Sequence, residues 1–133
     1  RAWEPIRIEL SARDSVHIAA FAWGPDGSVL RLYPHYAEPM PVVPANGQLT
    51  LPRDRRCPIE SAPLPDRQAS HEAIVVIGSD KRLGLESLAP PFCHDPETPA
   101  PAKPVSGDAF LRALSELDLG HATVSVLPYR VTR

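Results

Sequence analysis

Residues Val16 to Pro34, VHIAAFAWGPDGSVLRLYP, read as two strands joined by a tight turn. In the first arm Val16, Ile18, Ala20 and Ala22 share one face at period two, and His17, Ala19, Phe21 and Trp23 share the other. Both faces are mostly apolar, so the strand is expected to be covered on both sides. The turn is Gly24-Pro25-Asp26-Gly27. Proline presets φ for the second position of a type I turn, Asp26 suits the next, and Gly27 can take the left-handed conformation that follows. In the return arm Leu30 and Leu32 fall on one face, with Val29, Arg31 and Tyr33 on the other. Pro34 ends it, because proline cannot donate to a ladder.

Working outward, Ile6, Ile8 and Leu10 alternate with Arg7 and Glu9, which predicts a half-buried strand before the hairpin. After it, Pro34 to Pro44 reads as an extended, polyproline-like and aromatic segment. Asn46-Gly47 marks a turn, and Gln48 to Leu51 a short strand. Arg53 to Ser70 is polar and broken by proline, and reads as a solvated loop. Ala73 to Ile77 is a continuous β-branched run, which implies burial on both faces. Leu83 to Phe92 reads as a short helical turn or an irregular cover over the core. Asp108 reads as an N-cap, and Phe110, Leu111, Leu114 and Leu117 follow at helical spacing, so a helix is expected over 108–119 with Gly120 closing it. Thr123 to Val131 is the last strand, and Pro128 places it at a sheet edge or at a bulge.

Short early connections require antiparallel pairing. The expected fold is therefore mainly β: an antiparallel β-sandwich, Ig-like in general architecture, with one helix in the C-terminal half and long proline-rich loops. Phe21, Ile74, Val76, Leu114 and Val126 are the expected core.

Composition agrees. The 133 residues allow one β-rich domain over 1–133, and a start at Arg1 suggests a piece processed or excised from a longer protein. With 43% hydrophobic and 23% charged residues the chain is globular in class. Its 17 prolines, 14 of them between Pro34 and Pro104, argue against a helical bundle. A net charge of −2 with both signs scattered gives no footprint for nucleic acid. No run reaches the ~20 apolar residues of a membrane-spanning helix.

The candidate chemistry is sparse. His17, His35, His71, His94 and His121 fit no ligand spacing such as HExxH, and His17 reads as a strand residue with a satisfied nitrogen. Cys93, His94 and Asp95 could join Cys57 around a metal, but two cysteines and one histidine leave the fourth ligand unspecified. A small metal-dependent or Cys/His hydrolase using Cys93 and His94 is the alternative reading, without an oxyanion loop to support it. No cofactor motif is recognisable, and no cofactor or metal is expected. Cys57 and Cys93 permit one disulfide: bonded if the protein is exported, free thiols if it is cytosolic. For partner recognition the best segment is Tyr33 to Pro44. It concentrates Tyr33, His35, Tyr36 and Met40 on a backbone stiffened by proline, and such side chains suit interface cores.

The order of these elements resembles a bacterial family, domain of unknown function 4384. The shared pattern begins with an apolar strand ending at an aspartate-glycine turn, Phe21 to Gly27. A strand closing on a hydrophobic-proline step follows, Leu30 to Pro34, then Asn46-Gly47 and a strand ending in Leu51-Pro52. A later apolar strand ends in Gly78-Ser79, and a helix and a strand complete the chain. The long insert between Leu51 and His71 departs from the pattern. The resemblance implies an accessory domain beside kinase, caspase-like peptidase or envelope-lipoprotein modules, with no catalytic residues of its own. It implies a non-catalytic sensing or recruiting role toward a protein partner, a neighbouring domain or a small ligand. The periplasm or cell envelope is slightly favoured over the cytoplasm.

Overall fold

The computed structural model describes residues 5–34, 42–52, 59–60, 69–81, 84–93, 103–117 and 122–132. Its strands are β1 (Pro5–Ile6), β2 (Ile8–Ser11), β3 (Val16–Trp23), β4 (Ser28–Tyr33), β5 (Val42–Val43), β6 (Gln48–Leu51), β7 (Ile59–Glu60), β8 (Ala69–Ser79), β9 (Val105–Ser106) and β10 (Thr123–Thr132). Among the described residues one α-helix, α1 (Gly107–Ser115), and one 3-10 turn (Leu85–Ser87) complete the set. The fold is mainly β, and every strand pair is antiparallel. A six-stranded sheet runs β10-β8-β3-β4-β9, with β5 also on β3, and β1-β7 and β2-β6 form two separate pairs.

The hairpin is the centre of this arrangement. β8 pairs with one edge of β3 from His17 to Trp23. On the other edge β4 takes Ala20 to Trp23, and β5 returns to take Val16 and His17. The turn closes as its residues require: the Gly27 amide donates to Gly24 O at 3.1 Å, the Gly24 amide to Ser28 O at 2.8 Å, and Gly27 has φ +82°. Asp26 Oδ1 then accepts from the Ser28 amide at 3.0 Å and from Ser28 Oγ at 2.6 Å. The turn also receives the helix. β9 pairs with the start of β4, and the Gly107 amide donates to Gly27 O at 2.7 Å.

The period-two reading of β3 is what separates two buried clusters. Ile18 and Ala20 pack with Leu32, Tyr33, Val43 and Ile74, and with Ile8, Leu49, Leu51 and Ile59 from the two-stranded pairs. Ala19 and Phe21 pack with Val29, Val75 and Ile77, and with Leu85, Leu88, Ala89 and Phe110 from the 3-10 turn and α1. Burial on both faces of β8 follows, with Ile74, Val75 and Ile77 all buried. At α1, Phe110 meets Phe21 edge to face with ring centroids 4.8 Å apart, and lies 6.1 Å from the Trp23 ring.

Several expectations need correction. Tyr33 does not face away from Leu32. The register shifts between Ala20 and Phe21, which leaves Leu32 as the extra residue of a β-bulge and turns both side chains into one cluster. The helix begins one residue early, because Ser106 caps it: Ser106 Oγ accepts from the Ala109 amide at 3.1 Å, and Asp108 sits in the first turn. It ends at Ser115, and Leu111 is 51% exposed. Val126, expected in the core, is 56% exposed. It lies on β10 at the sheet edge, whereas α1 packs over β4 and β9 at the opposite side. Val76 and Leu114 are half-buried. Pro128 lies within β10 without a register shift, in keeping with its edge position. β8 starts at Ala69, so the end of the expected 53–70 loop is strand.

Candidate binding groove

On the cluster face that meets the two-stranded pairs, the hairpin end of the sheet is not filled. β3 contributes only Ala22 there, opposite Leu30 of β4 and Ile74 of β8. The result is a groove of about 290 Å³ lined by Ala22, Gly24, Ser28, Leu30, Leu32, Ile59, Glu72 and Phe92. Among the described residues its walls are apolar apart from Ser28 and Glu72, and Glu72 is the one ionisable group in the lining.

One arginine fixes a wall of this groove. The Arg31 amide donates to Pro90 O at 2.7 Å, and Arg31 O accepts from the Phe92 amide at 2.8 Å. Its guanidinium donates through Nε to Pro34 O at 2.9 Å and through Nη1 to Ala89 O at 3.1 Å. The segment bearing Phe92 is thus sewn to β4 by backbone and side chain together. At the turn, Ser28 lines the groove with its proton committed to Asp26. The same side-chain hydrogen bond, then the Ser28 amide, lowers the Asp26 pKa and keeps that carboxylate ionised.

A second groove of about 260 Å³ opens at the other end of β3, lined by Ser11, Ala12, Arg13, Asp14, Val16, Ile18, Val76, Gly78 and Thr123. Among the described residues of its lining, Arg13 and Asp14 give it opposed, exposed charges and no net sign.

The residues singled out from sequence fall elsewhere. Tyr33 is 2% exposed and belongs to the core. His35, Tyr36, Met40, Cys57 and His94 lie outside the described residues. Cys93 is disulfide-bonded, and no described cysteine is free. His17 is a strand residue of β3, as expected, and its Nδ1 is buried without a hydrogen-bond partner among the described residues. Ser79 lies opposite it, with its hydroxyl oxygen accepting from the Lys81 amide at 3.1 Å. Among the described residues no three His, Cys, Asp or Glu side chains converge as metal ligands. Among them, too, no helix is long and apolar enough to cross a membrane.

Sequence reasoning missed the groove itself. Two signals were present: small Ala22 on an otherwise large apolar face beside Gly24, and Glu72 at an even position ahead of Ile74 and Val76. Compared with family models, with curated proteins and with solved structures, the chain finds no match in any of the three.

Proposed function

We propose that this chain is a non-catalytic binding domain, an accessory part of a larger bacterial signalling or envelope protein. The observation that carries the reading is the preformed apolar groove at the hairpin end, held open by Arg31 and marked by Glu72. Concave, mostly apolar sites with few polar groups are the usual form of a recognition site. The groove is small for a whole cofactor and suits a single side chain of a protein partner or of a neighbouring domain. The order of turns shared with domain of unknown function 4384 supports an accessory role. The sulfur of Cys93 is held in a disulfide, and a thiolate is what nucleophilic catalysis there would need.

The test is a fragment titration of the folded chain, followed by methyl NMR. Apolar fragments should perturb Leu30, Leu32 and Ile59 together, and Leu30→Gln should remove the response without moving the melting temperature. Fragments that perturb no site, or hydrolysis of an ester or peptide that Cys93→Ser abolishes, would overturn the binding reading.

A further inference from the structure

We propose that the disulfide of Cys93 closes on Cys57 and clamps the hairpin groove, so that the groove binds in the oxidised protein and relaxes on reduction. The inference rests on the binding reading above and adds its regulation. Cys93 is disulfide-bonded, and the chain has one other cysteine, Cys57, which lies outside the described residues. Each cysteine neighbours a wall of the groove in sequence. Cys93 follows Phe92 directly, and Cys57 precedes Ile59 by two positions. Phe92 and Ile59 both line the groove, and Phe92 packs against the buried cluster that contains Ile59. Two residues span at most about 7 Å, so the bond leaves Ile59 little freedom to move away from Phe92.

The two walls are held unequally. Phe92 is fixed to β4: its amide donates to Arg31 O at 2.8 Å, and the Arg31 amide donates to Pro90 O at 2.7 Å. Ile59 stands on the two-residue strand β7, whose ladder to Pro5 and Ile6 is separate from the six-stranded sheet among the described residues. So short a ladder is a weak anchor. The disulfide ties this wall to the firm one. A wall held in place before docking loses less freedom on docking, so the bond favours binding. The switch is a thiol–disulfide exchange with a dithiol reductant. One reductant thiolate attacks a protein sulfur to form a mixed disulfide, and the second reductant thiol resolves it. The Cys57–Cys93 bond breaks and one S–S bond forms in the reductant. The protein gains two electrons and two protons as two thiols. The clamp is therefore kept in an oxidising compartment and lost in a reducing one.

The probes are toluene and isobutanol, titrated into the oxidised chain and into the chain reduced with dithiothreitol. Methyl NMR at Leu30, Leu32 and Ile59 reads the groove, and Ile18 and Ile77 report whether the two clusters stay folded. Reduction should weaken the groove response at least about tenfold, as expected if the closed groove falls to a tenth of the population, while Ile18 and Ile77 keep their native shifts. The double variant Cys57→Ala/Cys93→Ala should match the reduced protein with or without dithiothreitol, and reoxidation of the wild type should restore binding. Equal binding by oxidised, reduced and variant protein overturns the clamp and leaves the groove reading standing. Loss of the native Ile18 and Ile77 shifts on reduction also overturns it, because the bond then holds the whole fold. Alkylation of either cysteine in unfolded, unreduced protein overturns the pairing. A groove that answers to neither probe in either state overturns the clamp and the binding reading together.

Discussion

Gly107 is the point at which the helix closes on the sheet. A Cβ there would overlap the six-membered ring of Trp23, so only glycine lets the first residue of α1 lie flat on the indole. Alanine is a better helix former by up to about 1 kcal/mol, but overpacking costs about 1–3 kcal/mol, and the ring is also held by Phe110. Gly107→Ala should therefore lower the melting temperature and shift Trp23 emission, and a more stable variant would show that the indole can move aside. At the turn, Asp26 tests a smaller interaction. Its pKa is lowered first by the Ser28 hydroxyl and then by the Ser28 amide. A depressed carboxylate pKa stabilises the fold above its ordinary value of 3.8 and ceases to do so as pH falls through the lower folded value. The group is largely exposed, so the contribution to stability is small. Ser28→Ala should move the Asp26 titration measured by carboxyl NMR upward toward the ordinary value, and an unmoved titration would assign the shift to the backbone alone.

Elements show which parts of the fold a linear reading reaches. The two arms of the hairpin, the alternation of β3 and the β-branched run of β8 were legible because each is a local pattern with its own turn chemistry. The bulge at Leu32 was not, since Leu30-Arg31-Leu32-Tyr33 alternates perfectly and only pairing with Ala20 and Phe21 breaks it. Val126 was misplaced for a similar reason: alternation in β10 records two faces, but not that α1 stops short of the edge strand. The groove gathers residues from β3, β4, β7, β8 and the segment after the 3-10 turn, a meeting that no window of sequence contains. Stability should follow burial and not alternation. Ile74→Ala, at 4% exposure in the interior strand β8, should cost about 2–5 kcal/mol. Val126→Ala, at 56% exposure, should stay within about 0.5 kcal/mol. Denaturant melts of both variants check the pair, and similar losses would mean that the edge strand is covered in solution.

At the scale of the whole molecule, the two apolar clusters lie on opposite faces of one sheet and draw on alternate residues of the same strands. Ala19 belongs to one and Ala20 to the other, as do Val75 and Ile74. The disulfide at Cys93 adds a covalent tie just beyond Phe92. Cys57 is the other cysteine in the chain, and a Cys57–Cys93 bridge would contribute about 3–4 kcal/mol in the chain-entropy model. Thiol titration of the unfolded, unreduced protein should then find no free thiol, and two free thiols would remove the bridge. The shared strands lead to a sharper expectation. A β3 or β8 that loses one face of packing cannot keep the other, because its ladder hydrogen bonds hold both clusters in register. The faces should melt as one unit, although one is roofed by strand pairs and the other by helix. Methyl NMR in a urea series separates the probes, with Ile8 and Leu49 reporting one cluster and Leu85 and Leu88 the other. Coincident midpoints and slopes for all four are the expected outcome. If the helix-side leucines melt first while Ile8 and Leu49 stay folded, the strand side has a core of its own, and α1 with the 3-10 turn is an added layer and not part of the folding unit.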